Sequence, residues 1–239
     1  MSFMRMNRFI GDFDLKQKEI HITDAEKIRQ MHSVLKLKTG ERVVLCDGRG
    51  GEAVCEITEI HKKGVKLRVG NFEQNEIRGK KVSLFCALAK KDNFELIVQK
   101  ATELGISEVV PIITDRTVKT GVNMDRLVKI AVEASEQSGR VDVPKIHEPI
   151  DYQKSLDMIQ DFDTKILFEI GAEKLSDDDK KGEGGIALFV GPEGGWTDKE
   201  KETAKGYGAI ERSLVDTTLR VETAAIVAVY ECMSGDMLK

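Results

Sequence analysis

The segment GIALFVGPEGGWTDKE, residues 185–200, constrains the fold more than any other stretch of this sequence. Its first part is a short apolar run that starts and ends at glycine, which is typical of a strand covered on both faces. Three glycines lie in or next to the turn, and Thr197 stands three residues before Glu200, the spacing of a helix capping box. We therefore predict a strand, a loop that a ligand can approach closely, and a helix that begins at Thr197.

The residues of this loop argue against a phosphate ligand. No Lys-Ser or Lys-Thr pair follows the glycines, and the spacing of Gly191, Gly194 and Gly195 does not match the dinucleotide fingerprint. The carboxylate of Glu193 would repel a pyrophosphate in a pocket of low dielectric constant. A neutral or cationic ligand, such as the sulfonium S-adenosylmethionine, suits the loop better. The alternative is an ordinary tight connection between a strand and a helix.

From Val82 onward, apolar runs alternate with helical patterns. Strands are predicted at VSLFCALA, EVVPII, KILFEI and GIALFV, while AIERSLV leads into DTTLRVE. Helices are predicted at NFELIVQKATEL (capped by Asp92 and ended by Gly105), MDRLVKIAVEASEQSG and TDKEKETAKGYG. This alternation predicts an α/β domain with a mainly parallel sheet, and the loops after KILFEI, GIALFV and ERSLV should meet at one edge of it.

The first 70 residues have a different, β-rich pattern. The runs ERVVLCDG, GEAVCEITEI and GVKLRVGNF are separated by glycine turns, and one helix, DAEKIRQMHSVLKL, is capped by Thr23 or Asp24 and ends near Gly40. This composition predicts a small β-barrel with one helix over residues 1–72. A polar linker over residues 73–81 then leads to the α/β domain over residues 82–239.

Charge is divided unequally between these two parts. The chain has a net charge of −4, but residues 1–81 hold 17 Lys+Arg against 12 Asp+Glu, a net of +5, and the rest holds a net of −9. A basic front module favours contact with RNA, although an ordinary solvated surface can give the same balance.

Other features of the sequence bear on compartment and metal binding. It contains no apolar run long enough to span a bilayer and no secretory signal, so we expect a cytosolic protein without a membrane partner. The four cysteines are far apart and the four histidines lack ligand spacing. We therefore expect free, mostly buried thiols and no metal.

The last predicted helix, TAAIVAVYECM at residues 223–233, is apolar on nearly all sides. Such a helix must be covered all round by the core of its own chain, by a second subunit, or by both. Because Ile226, Val227, Val229 and Tyr230 cannot all face one core, we expect a homodimer with this helix in the interface.

Six segments in order resemble a single family. They are MNRF (6–9), HSVLKLKTGERVVLCDGRG (32–50), VQKATELG (98–105), AVEASEQSGRVDVP (131–144), LFVGPEGG (188–195) and LRVETAA (219–225). Together they are similar to the RsmE-type uridine-N3 methyltransferases of 16S ribosomal RNA, in the SPOUT superfamily, and the resemblance runs essentially end to end. It implies a PUA-like RNA-binding β-barrel followed by a SPOUT methyltransferase domain with a C-terminal trefoil knot, working as a homodimer on the small ribosomal subunit.

The resemblance also implies a cofactor site for S-adenosylmethionine, gripped by the backbone of three loops at 168–171, 190–195 and 213–223. The cofactor-binding residues expected from these positions are Phe168, Glu169, Gly171, Val190, Gly191, Glu193, Gly194, Ser213, Leu214, Leu219 and Thr223.

Methylation of uridine N3 requires an anion-like nucleophile, and a fixed cation stabilises such an anion. We expect Arg220 to supply this cation and Glu222 to orient Arg220 or to take the proton. The alternative for Glu222 is an acidic residue that pairs with the dipole of the last helix. For RNA, we expect phosphate contacts from Arg5, Arg8, Lys36 and Lys38, whereas Arg116 and Arg140 are candidates for either RNA contact or packing.

The third loop departs from the family pattern. Val215 and Thr217 stand where the family commonly has glycine and arginine. Valine cannot adopt the φ > 0 conformations that glycine allows, and threonine lacks the charge of arginine, so we expect cofactor affinity or RNA contact at this loop to differ from the family's. Two rival functions follow. One is a ribose 2′-O-methyltransferase of the same superfamily, although such enzymes typically carry Leu-Asn-Val-Ser where this chain has Leu-Arg-Val-Glu at 219–222. The other is a non-catalytic ribosome-assembly factor that binds RNA.

Overall fold

The computed structural model describes residues 6–76, 80–118, 121–181 and 184–237, with side chains described as far as Ser234. The chain divides into two compact units. The first comprises Met1–Arg78 and Ser135–Val143, and the second comprises Gly79–Ala134 and Pro144–Lys239.

The N-terminal unit contains a five-stranded sheet and a short helix. Its strands are β1 (Arg8–Ile10), β2 (Glu19–Ile22), β3 (Arg42–Cys46), β4 (Gly51–His61) and β5 (Gly64–Gln74), in the order β1-β3-β4-β5-β2. The pairing of β1 with β3 is parallel and the other pairings are antiparallel. The predicted strands β3 to β5 are therefore confirmed. Sequence patterns missed the short strands β1 and β2, and β5 extends to Gln74, into the segment predicted as linker.

The helix of this unit is shorter than predicted. Helix α1 (Ala25–Ile28) is capped by Asp24, whose carboxylate accepts the Lys27 N–H, and it continues as a π-helical turn over Arg29–Val34. Backbone regularity stops there because Lys36 takes a positive φ of 54°, a left-handed conformation that cannot continue a right-handed helix. The prediction of an end near Gly40 was wrong.

The second unit has the predicted alternation of strands and helices. Its elements are β6 (Val82–Ala87), α2 (Lys91–Glu103), β7 (Glu108–Ile113), α3 (Met124–Ser138), β8 (Lys145–Ile146), β9 (Ile150–Asp151), α4 (Tyr152–Asp157), β10 (Thr164–Phe168), β11 (Ile186–Val190), α5 (Asp198–Gly206), β12 (Ile210–Arg212) and α6 (Val221–Met237). The last part of α3 is assigned to the first unit. The short elements β8, β9 and α4 were not predicted.

The sheet of this unit is parallel, as expected. Its order is β12-β10-β11-β6-β7-β8, with β9 also pairing with β7, and every one of these pairings is parallel. All residues of β6 and β11 are buried, which explains why these strands read as continuous apolar runs. Phe85 and Phe189 are neighbours on the paired strands β6 and β11, and their aromatic rings stack in the core with centroids 4.7 Å apart.

Some helix ends in this unit agree with the predictions and others do not. Helix α6 was predicted over residues 223–233 and extends over Val221–Met237, and α5 ends at Gly206 instead of at Gly208. Gly105 takes a φ of +97° just beyond α2, as a C-terminal glycine should. Thr197 and Glu200 form the predicted capping box of α5. The cap of α2 was predicted wrongly at Asp92: the N-cap is Lys90, which makes no side-chain capping hydrogen bond.

Helix α6 is covered only in part by its own chain. Ala225, Ala228 and Val229 are buried, whereas Tyr230 is 51% exposed and Ile226 is half-buried. One apolar face of α6 is therefore open in the single chain.

The four cysteines, Cys46, Cys55, Cys86 and Cys232, are free thiols and all are buried, as predicted. Burial raises the pKa of Cys46 and Cys55 to about 11, so these two thiols are protonated and unreactive at neutral pH. The helices in the described part of the chain include none with the length and hydrophobicity of a transmembrane segment.

Candidate functional site

The loops after β10, β11 and β12 surround one cavity of about 310 Å³. They meet because the three strands are parallel neighbours, so their carboxyl ends lie at the same edge of the sheet. The first residues of α6 close the cavity on the remaining side. The convergence predicted from the sequence is therefore confirmed.

The walls of the cavity are largely apolar. Apolar side chains come from all three loops and from α6: Phe168, Ile170, Val190, Pro192, Trp196, Leu214, Val215, Leu219, Val221 and Ala224. Two carboxylates, Glu169 and Glu193, also line it, and Arg220 is the one basic residue of the lining among the described residues. Such a pocket suits a mainly apolar ligand that also carries a positive charge.

Trp196 joins the first two loops. Its indole Nε1 donates to the carbonyl oxygen of Phe168 at 3.0 Å, and the side chain is buried. The ring packs against Gly191 so closely that a Cβ at that position would lie 2.9 Å from Trp196 Cε2. Gly191 is therefore required by the packing of the indole, and Trp196 fixes the glycine loop, residues 191–196, against the end of β10.

Arg116, in the loop after β7, holds the glycine loop from its other side. The guanidinium Nη1 donates to the carbonyl oxygens of Gly194 and Trp196 at 2.7 and 3.3 Å. The aliphatic stem of Arg116 lies against Gly194, where a Cβ would be 3.3 Å from Arg116 Cβ and Cδ. Arg116 is an exposed residue that nevertheless holds the glycine loop and supports the cavity wall.

Glu200 anchors the start of α5 to the same β7 loop. Glu200 is buried, with 5% of its surface exposed. Its carboxylate accepts hydrogen bonds from the Thr197 N–H at 2.8 Å and from the Asp115 N–H at 3.0 Å. The capping box therefore connects α5 to the β7 loop as well as ending the glycine loop.

Glu169, which lines the cavity, has a raised pKa. Burial raises the pKa of this carboxyl, and Lys201, whose Nζ is 4.0 Å from Glu169 Oε1, partly opposes the rise. Glu211 and Asp198 add to the rise and Arg116 opposes it. A carboxylate with a raised pKa gains stabilisation from a cation bound beside it.

Most of the predicted cofactor residues come together at this cavity. Those that line it are Phe168, Glu169, Val190, Gly191, Glu193, Ser213, Leu214 and Leu219, together with the predicted catalytic Arg220. Two lining residues, Trp196 and Ala224, lie outside the three loops predicted from the sequence. The signal that could have found Trp196 is an apolar residue directly before a helix cap, a position that often packs inward.

Four predicted residues do not line the cavity. Gly171 and Thr223 are exposed, and Gly194 faces the stem of Arg116. Glu222 lies in the first turn of α6, where its Oε2 accepts a hydrogen bond from Asn93 Nδ2 at 3.1 Å. The helix thus carries Glu222 towards α2 and leaves Arg220, which precedes the helix, at the cavity.

Val215 and Thr217, which replace the family's common glycine and arginine, do not distort the third loop. Lys36 is the one non-glycine residue with a positive φ in the described part of the chain, so Val215 has a conformation that valine adopts without strain. Both Val215 and Thr217 line the cavity. The expected conflict between Val215 and a glycine conformation is therefore absent.

The predicted RNA-binding residues have different surroundings. Arg5 lies outside the described residues. Arg8 donates to Glu52 at 2.7 Å, and Arg140 donates to both carboxylate oxygens of Asp142, so each of these charges already has an internal partner. Lys36 and Lys38 are exposed.

Comparison with known families agrees with this geometry. A model described as an RNA methyltransferase domain matches residues 76–232, more than half of the chain, and one described as an RNA methyltransferase PUA domain matches residues 31–70. The fold, the cavity and these matches place the chain among the RNA methyltransferases.

Individual relatives show which RNA methyltransferases this chain is most similar to among those compared. A ribosomal RNA small subunit methyltransferase E from Rickettsia conorii is 30% identical over 235 residues, 95% of each chain, and the one from Bacillus subtilis is 32% identical over 219 residues, 85% of each. A crystal structure of ribosomal RNA small subunit methyltransferase E from Neisseria gonorrhoeae bound to S-adenosyl methionine is 28% identical with a TM-score of 0.86, covering 96% of this chain and 97% of that one. The chain belongs to the ribosomal RNA small subunit methyltransferase E family.

Proposed function

We propose that this protein transfers the methyl group of S-adenosylmethionine to N3 of a uridine in the 16S ribosomal RNA of the small subunit. The observation that carries the proposal is the cavity at the meeting point of three loops, in a fold that matches a relative bound to S-adenosyl methionine at a TM-score of 0.86. The family of the chain and the PUA match over residues 31–70 support the RNA substrate.

The residues of the cavity fit the cofactor. The volume of about 310 Å³ is that of a small-molecule pocket, and its apolar lining suits the adenine ring and the methylene chain of the molecule. Glu169 and Glu193 place negative charge at a site that would receive a sulfonium. When bound, the cofactor supplies a methyl group activated by its positive sulfur.

The side chains of this protein then act on the acceptor base. The N3 position must lose its proton, which passes to solvent water, and becomes anion-like. Arg220, an exposed residue at the cavity, provides a donor for the uracil oxygen on which charge develops. Asn93 holds Glu222 at the start of α6, so the role of Glu222 is to position the helix that follows Arg220.

The two rival functions have less support. Leu219-Arg220-Val221-Glu222 differs from the sequence typical of ribose 2′-O-methyltransferases, and Arg220 at the cavity suits a planar anion. A non-catalytic assembly factor would not need a formed cofactor cavity, and Val215 and Thr217 do not disturb the cavity here.

The finer architecture is part of the same proposal. We propose that the N-terminal unit is a PUA-like β-barrel that binds RNA, that the C-terminal part of the chain forms a trefoil knot, and that the enzyme is a cytoplasmic homodimer through α6. The domain match over residues 31–70 supports the first point, and the open apolar face of α6 supports the dimer. A crystal structure of the cofactor complex would test the knot directly.

One experiment tests the reaction. Isolated small subunits that lack the modification are incubated with the protein and S-adenosylmethionine labelled in its methyl group, and the nucleosides are then separated. We expect the label in N3-methyluridine. Label in a 2′-O-methylated nucleoside would favour the first rival, and absence of transfer despite cofactor binding would favour the assembly factor.

A further inference from the structure

The N-terminal unit contains a hollow of about 360 Å³ whose titratable lining is entirely basic. The polar side chains around it are those of Thr23, Arg29, His32, Ser33, Lys62 and Lys63. No carboxylate of the described residues lines this hollow. Four groups that carry or can carry positive charge thus converge on one small space, with two hydroxyl groups beside them.

Two separate segments bring these side chains together. Lys62 and Lys63 form the two-residue turn between β4 and β5, where His61 pairs with Gly64 and its Nδ1 accepts the Lys63 N–H at 3.1 Å. Arg29, His32 and Ser33 come from the helical segment that begins at Ala25. Because the turn is a tight hairpin end, its two lysines have a fixed backbone from which to reach the hollow.

The helical segment has two unusual backbone features at this place. Arg29–Val34 is π-helical, with the Leu35 N–H bonded to the Gln30 carbonyl oxygen at 2.9 Å, and Lys36 has a φ of 54°. Single π-helical turns are rare and are often found at functional sites. A positive φ at a non-glycine residue is also uncommon, and such outliers cluster where a side chain must be placed for function.

The charges at the hollow lack the acidic partners that several other basic side chains of this unit have. Arg8, Arg49, Lys66 and Arg68 each form an ion pair with an acidic side chain. Within the described part of the chain, the side chains of Arg29, Lys62 and Lys63 form none, and all three are exposed. A cluster of exposed cations without acidic partners attracts an anionic ligand.

We propose that this hollow is a binding site for the phosphates of the RNA backbone. Arg29, Lys62 and Lys63 donate to phosphate oxygens, with the hydroxyl of Ser33 and an imidazole N–H of His32 as further donors. The exposed Lys36 and Lys38 extend the same basic segment beyond the helix. The proposal rests on the proposed RNA substrate, and it adds phosphate contacts at the hollow to those predicted from the sequence, among which Arg8 is paired with Glu52.

The test compares two matched double variants of the full-length protein. Lys62→Gln with Lys63→Gln removes two charges from the hollow, and Lys16→Gln with Lys18→Gln removes two exposed charges from another loop of the same unit. The dissociation constant for a single-stranded fragment of 16S ribosomal RNA is measured over a series of salt concentrations. For two lost phosphate contacts, we expect the slope of log affinity against log salt to become shallower by about 1.4 in the first variant only.

The outcomes separate this proposal from the proposed function. If the salt slope becomes equally shallower in both variants, or changes in neither, the hollow is not a phosphate-binding site. This conclusion holds even if the parent protein methylates uridine N3. A loss confined to the Lys62/Lys63 variant would support the site, even if the parent transfers no methyl group. Cofactor affinity, measured by calorimetry on each variant, should equal that of the parent, which shows that the methyltransferase unit is intact.

Discussion

Arg220 and Glu222 are separated by a single residue, yet they lie in different surroundings. Arg220 precedes α6 and lines the cavity, whereas Glu222 belongs to the first helical turn and accepts a hydrogen bond from Asn93. The start of the helix at Val221 therefore divides the two side chains between the reaction site and the packing of α6 against α2. The difference leads to opposite expectations for their variants.

Arg220→Ala should slow methyl transfer by about 10²–10³ in rate, because a preorganised donor to a developing anion is typically worth that much. Cofactor affinity should change little, since the cavity is formed mainly by loops and apolar side chains. Single-turnover transfer and calorimetry on the same variant give the two values. Glu222→Gln is the matched control: it keeps an acceptor for Asn93 and should retain a rate close to that of the parent. If Arg220→Ala transfers methyl groups at the parental rate, Arg220 does not stabilise the developing anion.

The carboxyl of Glu169 gives the cofactor site a pH dependence. Its pKa is raised, chiefly by burial, so it becomes neutral at a higher pH than an ordinary glutamate. Attraction for a cation is therefore complete above the raised pKa and is lost as the pH falls through it.

We expect Glu169→Gln to weaken binding of S-adenosylmethionine more than binding of S-adenosylhomocysteine, which lacks the sulfonium charge. The ratio of the two affinities should also depend less on pH in the variant than in the parent. Calorimetry with both ligands over a pH series makes the measurement. Glu202→Gln, at an exposed position of α5, is the control and should behave as the parent does. An equal loss of affinity for the two ligands would mean that Glu169 shapes the cavity but does not recognise the charge of the sulfonium.

At the scale of elements, the glycine loop is held by long-range contacts. Trp196 donates to Phe168, 28 residues away, and Arg116 donates to Gly194, 78 residues away. The loop has a Gly-Gly pair, and one of these, Gly195, has a φ of +69°, so its own backbone preferences leave it many conformations. The hydrogen bonds of Trp196 and Arg116 select the loop conformation that forms the cavity wall.

Arg116→Ala should therefore weaken cofactor binding about tenfold, the effect of losing one or two hydrogen bonds of about 1 kcal/mol each. RNA affinity and its salt slope should stay at parental values, because the guanidinium is turned onto the glycine loop. Arg116→Lys, which keeps the charge without the planar fork, should recover only part of the cofactor affinity. The opposite pattern, a shallower salt slope with unchanged cofactor affinity, would restore Arg116 as an RNA contact.

At the scale of the whole molecule, the open face of α6 determines the expected assembly. Tyr230 is 51% exposed in the single chain, and Ile226 and Val227 are half-buried on a helix that is otherwise packed into the core. Large exposed apolar groups on one helix face are typical of an interface.

We expect light scattering to show a dimer at micromolar concentration, and we expect Tyr230→Asp to shift it towards monomer, since a buried unpaired carboxylate is costly. Met158→Asp, a charge at a residue that is 40% exposed near α4, should leave the dimer intact. A parent protein that is monomeric at this concentration would contradict the assignment of α6 to an interface.

The sequence by itself determined the features that depend on neighbours along the chain. The buried runs of β6 and β11, the capping box of Thr197 and Glu200, and Gly105 after α2 all follow from local pattern and backbone preference. The meeting of three loops at one edge also followed, because parallel strands align their carboxyl ends. The family resemblance added the cofactor and the positions of most cavity residues.

Tertiary structure decided which side chains face each other. No local pattern pairs Asn93 with Glu222, which are 129 residues apart, or shows that Arg8 is neutralised by Glu52 while Lys62 and Lys63 stay exposed. The short strands β1, β2, β8 and β9 carry too few residues for a periodic pattern and exist because a longer strand offers free backbone groups beside them. Long-range partners depend on the folded path of the chain, and a sequence pattern read locally carries no record of that path.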